Sequence, residues 1–410
     1  MTCYSIPASG HPIYFREVLR ALANSHAAPP FTGRLFPGES SVTVSSGSAA
    51  LLLSFRALRR ASPRREIVLP AYTCPSVLAA VLNAGLQPLL CDFDYPRLHI
   101  DLDHLKSLVG PETLAIVAVH LYGTRERTHA LKKVAYSCGA FLVEDSAQLF
   151  SPPGSAPGLE GMGENFWDSA ADGLSTHADL VIVSFGRGKP ITLLSGGGVR
   201  ILNPELEEPV REEFESMRAP SLYAKAGYLA KLPLYSLLFH PRLFWMPYNL
   251  PFLKIGTTTF TLQVSYRRSN PLADRLGNAV VHRLYRLPET TEALSSLYAV
   301  HLQDAENDLD YMPEEAFHPS LLRFPIVFRS HRHREMCLTA LNREGLGASP
   351  SYPAPLNELN GVPRRLFGEA VYPRARALSR RILTLPIHEC VKEKDILRMT
   401  QIIHHYISTG

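Results

Sequence analysis

With 410 residues, the chain has room for two or three domains and a substantial core. Hydrophobic residues make up 46% and charged residues 20%, the profile of an ordinary soluble globular protein. The formal net charge of +4 is slight for this length and its arginines are scattered, which gives no case for nucleic-acid binding.

The six cysteines have no CxxC or metal-ligand spacing and read as reduced thiols of a cytoplasmic protein. The first residues lack the charged region and apolar run of a signal peptide. No stretch reaches the roughly 18 uninterrupted apolar residues of a spanning helix.

In chain order, residues 13–24 carry apolar positions at helical spacing, and Val42–Val44 is a short strand. The strand runs into Ser45-Ser-Gly-Ser-Ala-Ala, which can cap a helix reaching about Leu58 and present free backbone N–H groups to an anion. Strands then alternate with helices. Ile67–Pro70, Pro88–Asp92, Leu114–His120 and Phe141–Glu144 read as strands. Val77–Ala84, Asp101–Leu108 and Arg127–Ser137 read as helices. This pattern predicts an α/β domain with a mainly parallel sheet, whose functional residues gather at the C-terminal strand ends.

Ser151–His177 is rich in Gly, Pro, Ser and acidic residues and reads as a functional flap. The buried strand Leu180–Val183 then ends in Ser184-Phe-Gly-Arg-Gly-Lys189, followed by Gly196-Gly-Gly198. A P-loop is excluded, because Val183 and Pro190 stand where that motif needs Gly and Ser or Thr. The remaining choices for Lys189 are a surface lysine in a glycine turn and a buried amine used as a nucleophile. Asp145 has two readings as well, an N-cap for a following helix or a carboxylate on the same sheet edge as Ser184 and Lys189.

Pro204–Arg218 reads as an exposed helix. An aromatic insertion at about 220–260 follows, densest over Leu232–Leu253. Four prolines interrupt that segment, so the reading taken is a partly buried, irregular helical insertion covering the core. The alternative is a surface touching lipid or a lipid-linked substrate. Leu272–Leu287 is helical. Leu322–Phe328 and Ile382–Pro386 are strands, with helices at His333–Glu344 and Ile396–Tyr406. The expected division is therefore a large α/β domain over 1–285 and a smaller α+β domain over 286–410. His331 with His333, and His404 with His405, have spacings that suit solvated side chains, and no metal site is expected.

Taken together, Ser46-Gly-Ser-Ala-Ala-Leu51, Leu69-Pro-Ala-Tyr-Thr73, Val119-His-Leu-Tyr-Gly123, Val143-Glu-Asp-Ser-Ala-Gln148, Ser184–Lys189 with Gly196–Gly198, and Leu383-Thr-Leu-Pro-Ile-His388 form an ordered series. The series resembles the DegT/DnrJ/StrS family of sugar aminotransferases over residues 40–200 and again over 320–400. The resemblance implies the aspartate-aminotransferase-type fold (fold type I) and pyridoxal 5'-phosphate (PLP) as cofactor. It implies Lys189 as the Schiff-base lysine and acid/base, Asp145 on the pyridinium nitrogen and Gln148 on the ring oxygen. Gly47, Ser48 and Ser184 would hold the phosphate, and the protein would be a homodimer.

Three positions depart from the family pattern. Cys74 stands where an aromatic ring commonly stacks on the cofactor, Ser265 where an asparagine reaches the partner's phosphate, and Gly196 in place of an aspartate. The implied reaction moves an amino group from glutamate to a keto sugar, nucleotide-activated, for surface polysaccharide synthesis. The alternatives are PLP-dependent dehydration or deamination of a sugar, and a non-catalytic membrane- or partner-binding relative.

Overall fold

A computed structural model describes residues 4–23, 29–150, 177–250, 255–284, 286–313 and 321–408. Residues 151–176, nearly all of the expected flap, lie outside the described residues.

The first half builds β1 (Ser41–Val44), β2 (Glu66–Pro70), β3 (Gln87–Cys91), the short pair β4 (Phe93–Asp94) and β5 (His99–Ile100), β6 (Thr113–Val119), β7 (Phe141–Asp145), β8 (Leu180–Ser184) and β9 (Gly197–Ile201). Between them run α1 (Phe15–Ala23), α2 (Phe31–Leu35), α3 (Gly47–Ala61), α4 (Pro75–Asn83), α5 (Leu102–Leu108) and α6 (Thr128–Cys138). Sequence reasoning did not expect α2, β4 or β5, and the other elements lie within a few residues of their expectations.

Seven strands form one sheet in the order β1-β9-β8-β7-β6-β2-β3. Only β9 runs against the rest, antiparallel to both β8 and β1. The strands are apolar on both faces because both are covered. Ile67, Leu69, Val117, Val143 and Ile182 enter one core cluster, and Val68, Ile116, Leu142 and Val181 enter the other. Because β1 and β8 run the same way on either side of β9, Val44 and Ser184 both pair with Gly197. That register brings the start of α3 to the end of β8.

The remaining helices are α7 (Glu207–Ser216), α8 (Leu222–Leu238), α9 (Pro241–Tyr248), α10 (Pro271–Leu284), α11 (Leu287–Leu302), α12 (His331–Arg343), α13 (Pro373–Arg381) and α14 (Glu393–Ser408). A second sheet joins β10 (Leu309–Tyr311), β11 (Arg323–Phe328) and β12 (Ile382–Pro386) over a third core cluster. Sequence reasoning missed β10, α11 and α13. It read the 220–260 segment as an irregular helical insertion, and the structure bears out its helical character. Residues 222–248 are two helices, and α8 runs through Pro233. The Pro233 ring lies on the exposed side of the helix, where one lost backbone hydrogen bond costs least.

The N-terminal segment ties the two sheets together. Ile6 N–H donates to Gly345 O (2.7 Å), and His388 Nε2 donates to Pro7 O (2.7 Å). His11 N–H reaches Thr192 Oγ1 (3.3 Å). Burial holds the His388 imidazole down to about 4. Below about 6.5 the unfolded chain therefore takes up a proton that the folded chain refuses until about pH 4. Stability contributed by neutral His388 is complete above pH 6.5 and is lost as pH falls, by about 3 kcal/mol in total. We expect urea midpoints to fall between pH 6.5 and 4, and to fall less in His388→Gln.

Candidate active site

Three parallel strand ends deliver the polar groups. β6 leads into His120, β7 ends at Asp145, and β8 ends at Ser184. Backbone bonds lock them in step, from His120 N–H to Asp145 O (3.3 Å) and from Ser146 N–H to Ile182 O (2.9 Å). The fold thus brings Asp145, Gln148, Ser184, Lys189 and the Gly47–Ser48 turn to one edge of the sheet.

Asp145 is buried, and its Oδ1 accepts from Ala147 N–H (3.0 Å). Among the described residues it begins no helix, so the N-cap reading is set aside. Burial raises its carboxyl above the ordinary carboxylate range, while the Lys189 ammonium, the Ala147 N–H and His120 pull it back. The charge of Lys189 is therefore felt at Asp145. Lys189 is half-buried, and its loop is fixed by Thr192 Oγ1 donating to Lys189 O (2.8 Å). The N-terminal segment closes this loop from outside, for a Cβ on Gly10 would lie 2.9 Å from Gly188 Cα.

Gln148 is held at both ends. Its Oε1 accepts from Tyr122 N–H (3.0 Å) and its Nε2 donates to Tyr352 Oη (2.8 Å). One amide N–H of Gln148 is left over.

The phosphate-type cup is built from close backbone approaches. Ser46 caps α3 by accepting from Ala49 N–H (3.1 Å), and its carbonyl takes Ala50 N–H (3.0 Å). Gly47 and Ser48, the first two helical residues, have no intrahelical acceptor for their N–H groups. A Cβ on Gly47 would stand 2.8 Å from both Cβ and Oγ of Ser184, so the Ser184 hydroxyl sits directly at the helix start. A Cβ on Gly197 would fall 2.5–2.6 Å from Ser46 and Gly47 backbone atoms, which no side-chain movement relieves. We expect Gly197→Ala to cost about 1–3 kcal/mol in urea unfolding and to weaken PLP binding in a titration.

Gly196 has φ +103 with Phe185 Cδ2 3.0 Å from the position of a Cβ, so the family aspartate has no room in this backbone.

Sequence reasoning gave no role to His120, Tyr352 or Arg323, and it named Cys74 and Tyr72 without placing their side chains. His120 Nε2 lies 3.0 Å from Glu144 Oε1, both buried, and His120 Nδ1 accepts from Glu126 N–H (2.9 Å). Cys74 Sγ sits 3.0 Å from Ser76 Oγ at the start of α4. Tyr72 is fully buried, its ring edge-on to Tyr352 and its hydroxyl 3.3 Å from that of Tyr122. Tyr352, from far along the chain, is thus the aromatic residue bonded to Gln148. Arg323 heads β11, and burial lowers it to about 10, with Tyr122, Tyr352 and Tyr72 as its charged-form partners. Its Nε and Nη2 have no hydrogen-bond acceptor among the described residues. No local signal marks either residue, because β11 and residue 352 reach the site only through the tertiary fold.

The Ser265-Tyr-Arg267 segment is pinned beside the cup within the same chain. Ser45 N–H donates to Arg267 O (3.0 Å), and Ser45 Oγ to Ser265 O (3.3 Å). The imidazoles of His331 and His404 make main-chain bonds, to Arg380 O (2.8 Å) and His301 O (2.7 Å).

These groups suit PLP by their own chemistry. They supply an amine beside a buried carboxyl, an amide with a free N–H, and a helix start with two N–H groups and a hydroxyl where only glycine fits.

The profile of the DegT/DnrJ/EryC1/StrS aminotransferase family matches residues 35–404. The chain is 24% identical over 366 residues to a UDP-N-acetyl-3-dehydro-alpha-D-glucosamine 3-aminotransferase of Acidithiobacillus ferrooxidans, covering 88% of this chain and 83% of that one. Among solved structures, DesI with its TDP-sugar product superposes with a TM-score of 0.72 at 18% identity, covering 100% of this chain and 94% of that one. NtdA of Bacillus subtilis with bound PMP superposes at 0.68 and 18% identity, covering 96% and 82%. The chain belongs to the DegT/DnrJ/EryC1/StrS aminotransferase family and is a PLP-dependent aminotransferase of the α/β fold those structures share.

Proposed function

We propose that this enzyme moves an amino group from glutamate to a keto group on a nucleotide-activated sugar, for surface polysaccharide or glycan synthesis. The observation that carries this reading is the loop after β8 bringing Lys189 near enough for its charge to act on buried Asp145 at the end of β7, in a chain similar along most of its length to a UDP-sugar aminotransferase. Cytoplasmic location and a homodimer are parts of the same reading.

PLP, when bound, supplies the electron sink that lets the amino-bearing carbon lose a proton. The residues of this chain do the rest. Lys189 would hold the cofactor and, once freed by the donor, its Nζ would take up and return the proton. Asp145, as a carboxylate, would face the ring nitrogen and favour its protonated form, and that cationic partner would in turn lower the carboxyl that burial raises. Gln148 turns its spare N–H to the ring oxygen. Gly47, Ser48 and Ser184 hold the phosphate at the head of α3.

Arg323 offers unpaired guanidinium N–H groups, which suit a carboxylate far better than a neutral sugar. We assign it to the donor carboxylate. Arg323→Gln should raise the KM for glutamate by at least about tenfold, with a smaller change in the KM for the sugar.

Incubating the enzyme with ¹⁵N-glutamate and keto-sugar nucleotides tests the reaction. Labelled amino sugar formed in step with 2-oxoglutarate supports it. A dehydrated or deaminated sugar without stoichiometric glutamate loss would replace it with the dehydratase reading.

A further inference from the structure

We propose that the enzyme docks on an anionic lipid surface through α8 and α9, which lie in the headgroup plane without crossing the bilayer. This goes beyond the aminotransferase reading and holds for any acceptor.

Two independent observations carry it. The first is the pattern of exposure around α8. At about 100° per residue, Tyr228, Leu232 and Tyr235 fall on one stripe, which faces the protein. Tyr228 and Leu232 are buried, and Phe239 just past the helix end is buried with them. This inner side is firmly attached, with Tyr228 Oη donating to Leu193 O (2.7 Å) and Tyr235 Oη to His11 O (3.2 Å). The opposite stripe is also apolar, yet it faces solvent. Leu222 is 79% exposed, Tyr223 92%, Leu229 42%, Leu234 56% and Leu237 60%. Lys225 and Lys231, both exposed, fall on the two borders of that stripe. Lysines at such borders can lay their stems along lipid and keep their ammonium groups among the headgroups.

The second observation is charge. From Ser216 to Ala273 the chain contains no Asp or Glu, and it contains seven Lys or Arg residues. A solvated helix pair would be expected to mix signs. This one is cationic throughout and complements an anionic surface. α1 packs against α8 and continues the chemistry, with exposed Phe15, Leu19 and Leu22 beside Arg16 and Arg20. No helix among the described residues is long and apolar enough to cross a membrane, which leaves the in-plane arrangement.

A second copy of the chain suits this patch less well. A two-fold contact through this patch alone would gather Lys225, Lys231 and Arg242 of both copies in one interface, with no carboxylate in 216–273 to neutralise them. A lipid surface suits the active site too. Tyr228 is bonded to Leu193, in the loop that carries Lys189, so docking would set that loop near the membrane.

The test uses the PLP-loaded, full-length protein in vesicle flotation. One set of vesicles is phosphatidylcholine alone, and the other has about a third of its lipid as phosphatidylglycerol. The expected result is flotation with the anionic vesicles only, with a bound fraction that falls at least about tenfold in high salt. The doubles Leu229→Ser/Leu237→Ser and Lys225→Glu/Lys231→Glu should each lose flotation by about tenfold while keeping the visible absorbance of bound PLP. These side chains are exposed, so retained absorbance separates lost docking from lost folding. Wild-type protein that stays in solution with both vesicle types would overturn the proposal. Equal flotation with neutral vesicles would overturn its electrostatic basis. If instead the same doubles lower the sedimentation coefficient without lipid, the patch belongs to a second copy and the lipid proposal falls.

Discussion

Lys189→Ala should abolish multiple-turnover amino transfer, lowering kcat by at least about a thousandfold, and should remove the visible absorbance of lysine-bound PLP. The size follows from two roles resting on one amine. Without Nζ there is no covalent hold on the cofactor and no group placed to carry the proton. The fold should survive, because Lys189 is half-buried and its loop is fixed by Thr192 bonding its carbonyl and by Gly10 against Gly188. Far-UV circular dichroism and the urea midpoint should match wild type. Added methylamine should restore part of the half-reaction if the loss is that of a base.

Asp145→Asn should separate activity from stability. Losing the charge opposite the protonated ring nitrogen removes one partner of a buried ion pair, about 3–5 kcal/mol, or roughly a 100- to 5,000-fold loss in kcat/KM. The stability effect runs the other way in protein stripped of PLP. Burial is the largest influence on this carboxyl and raises it. A carboxyl raised in the folded state disfavours folding once the pH exceeds its unfolded value, and the penalty grows until the folded value is passed. In acid, below the unfolded value, both states are protonated and the penalty vanishes. Asparagine keeps the acceptor for Ala147 N–H without the charge. PLP-free Asp145→Asn should therefore be at least as stable as wild type near neutral pH, with the gap closing below about pH 4.

Much of the large sheet and its site was legible because their signals are local. Glycines mark places where backbones touch, such as Gly47 on Ser184 and Gly197 on Ser46, and apolar strands end where polar residues begin. The lysine loop, Asp145 and the capped start of α3 needed only the rule that parallel strands share an edge. Tyr352, Arg323 and the N-terminal segment were not legible. They reach the site from a sheet and a terminus far away in sequence, and nothing beside them announces where they will land. The α8–α9 segment was legible as helical but not as two regular helices. Proline was weighed as a helix breaker, but Pro233 sits on the wet face of α8, where losing one backbone bond to water costs little. The exposed leucines then stood out only once the buried stripe of the helix was known.

The central claim is that this chain binds PLP through Lys189. Its most direct test is borohydride reduction of the purified holoenzyme, which fixes the cofactor to whichever amine carries it, followed by peptide mass spectrometry. The account predicts a phosphopyridoxyl group on the peptide containing Lys189 and on no other lysine. Its appearance on a different lysine, or its absence from a protein that transfers amino groups, would contradict the account.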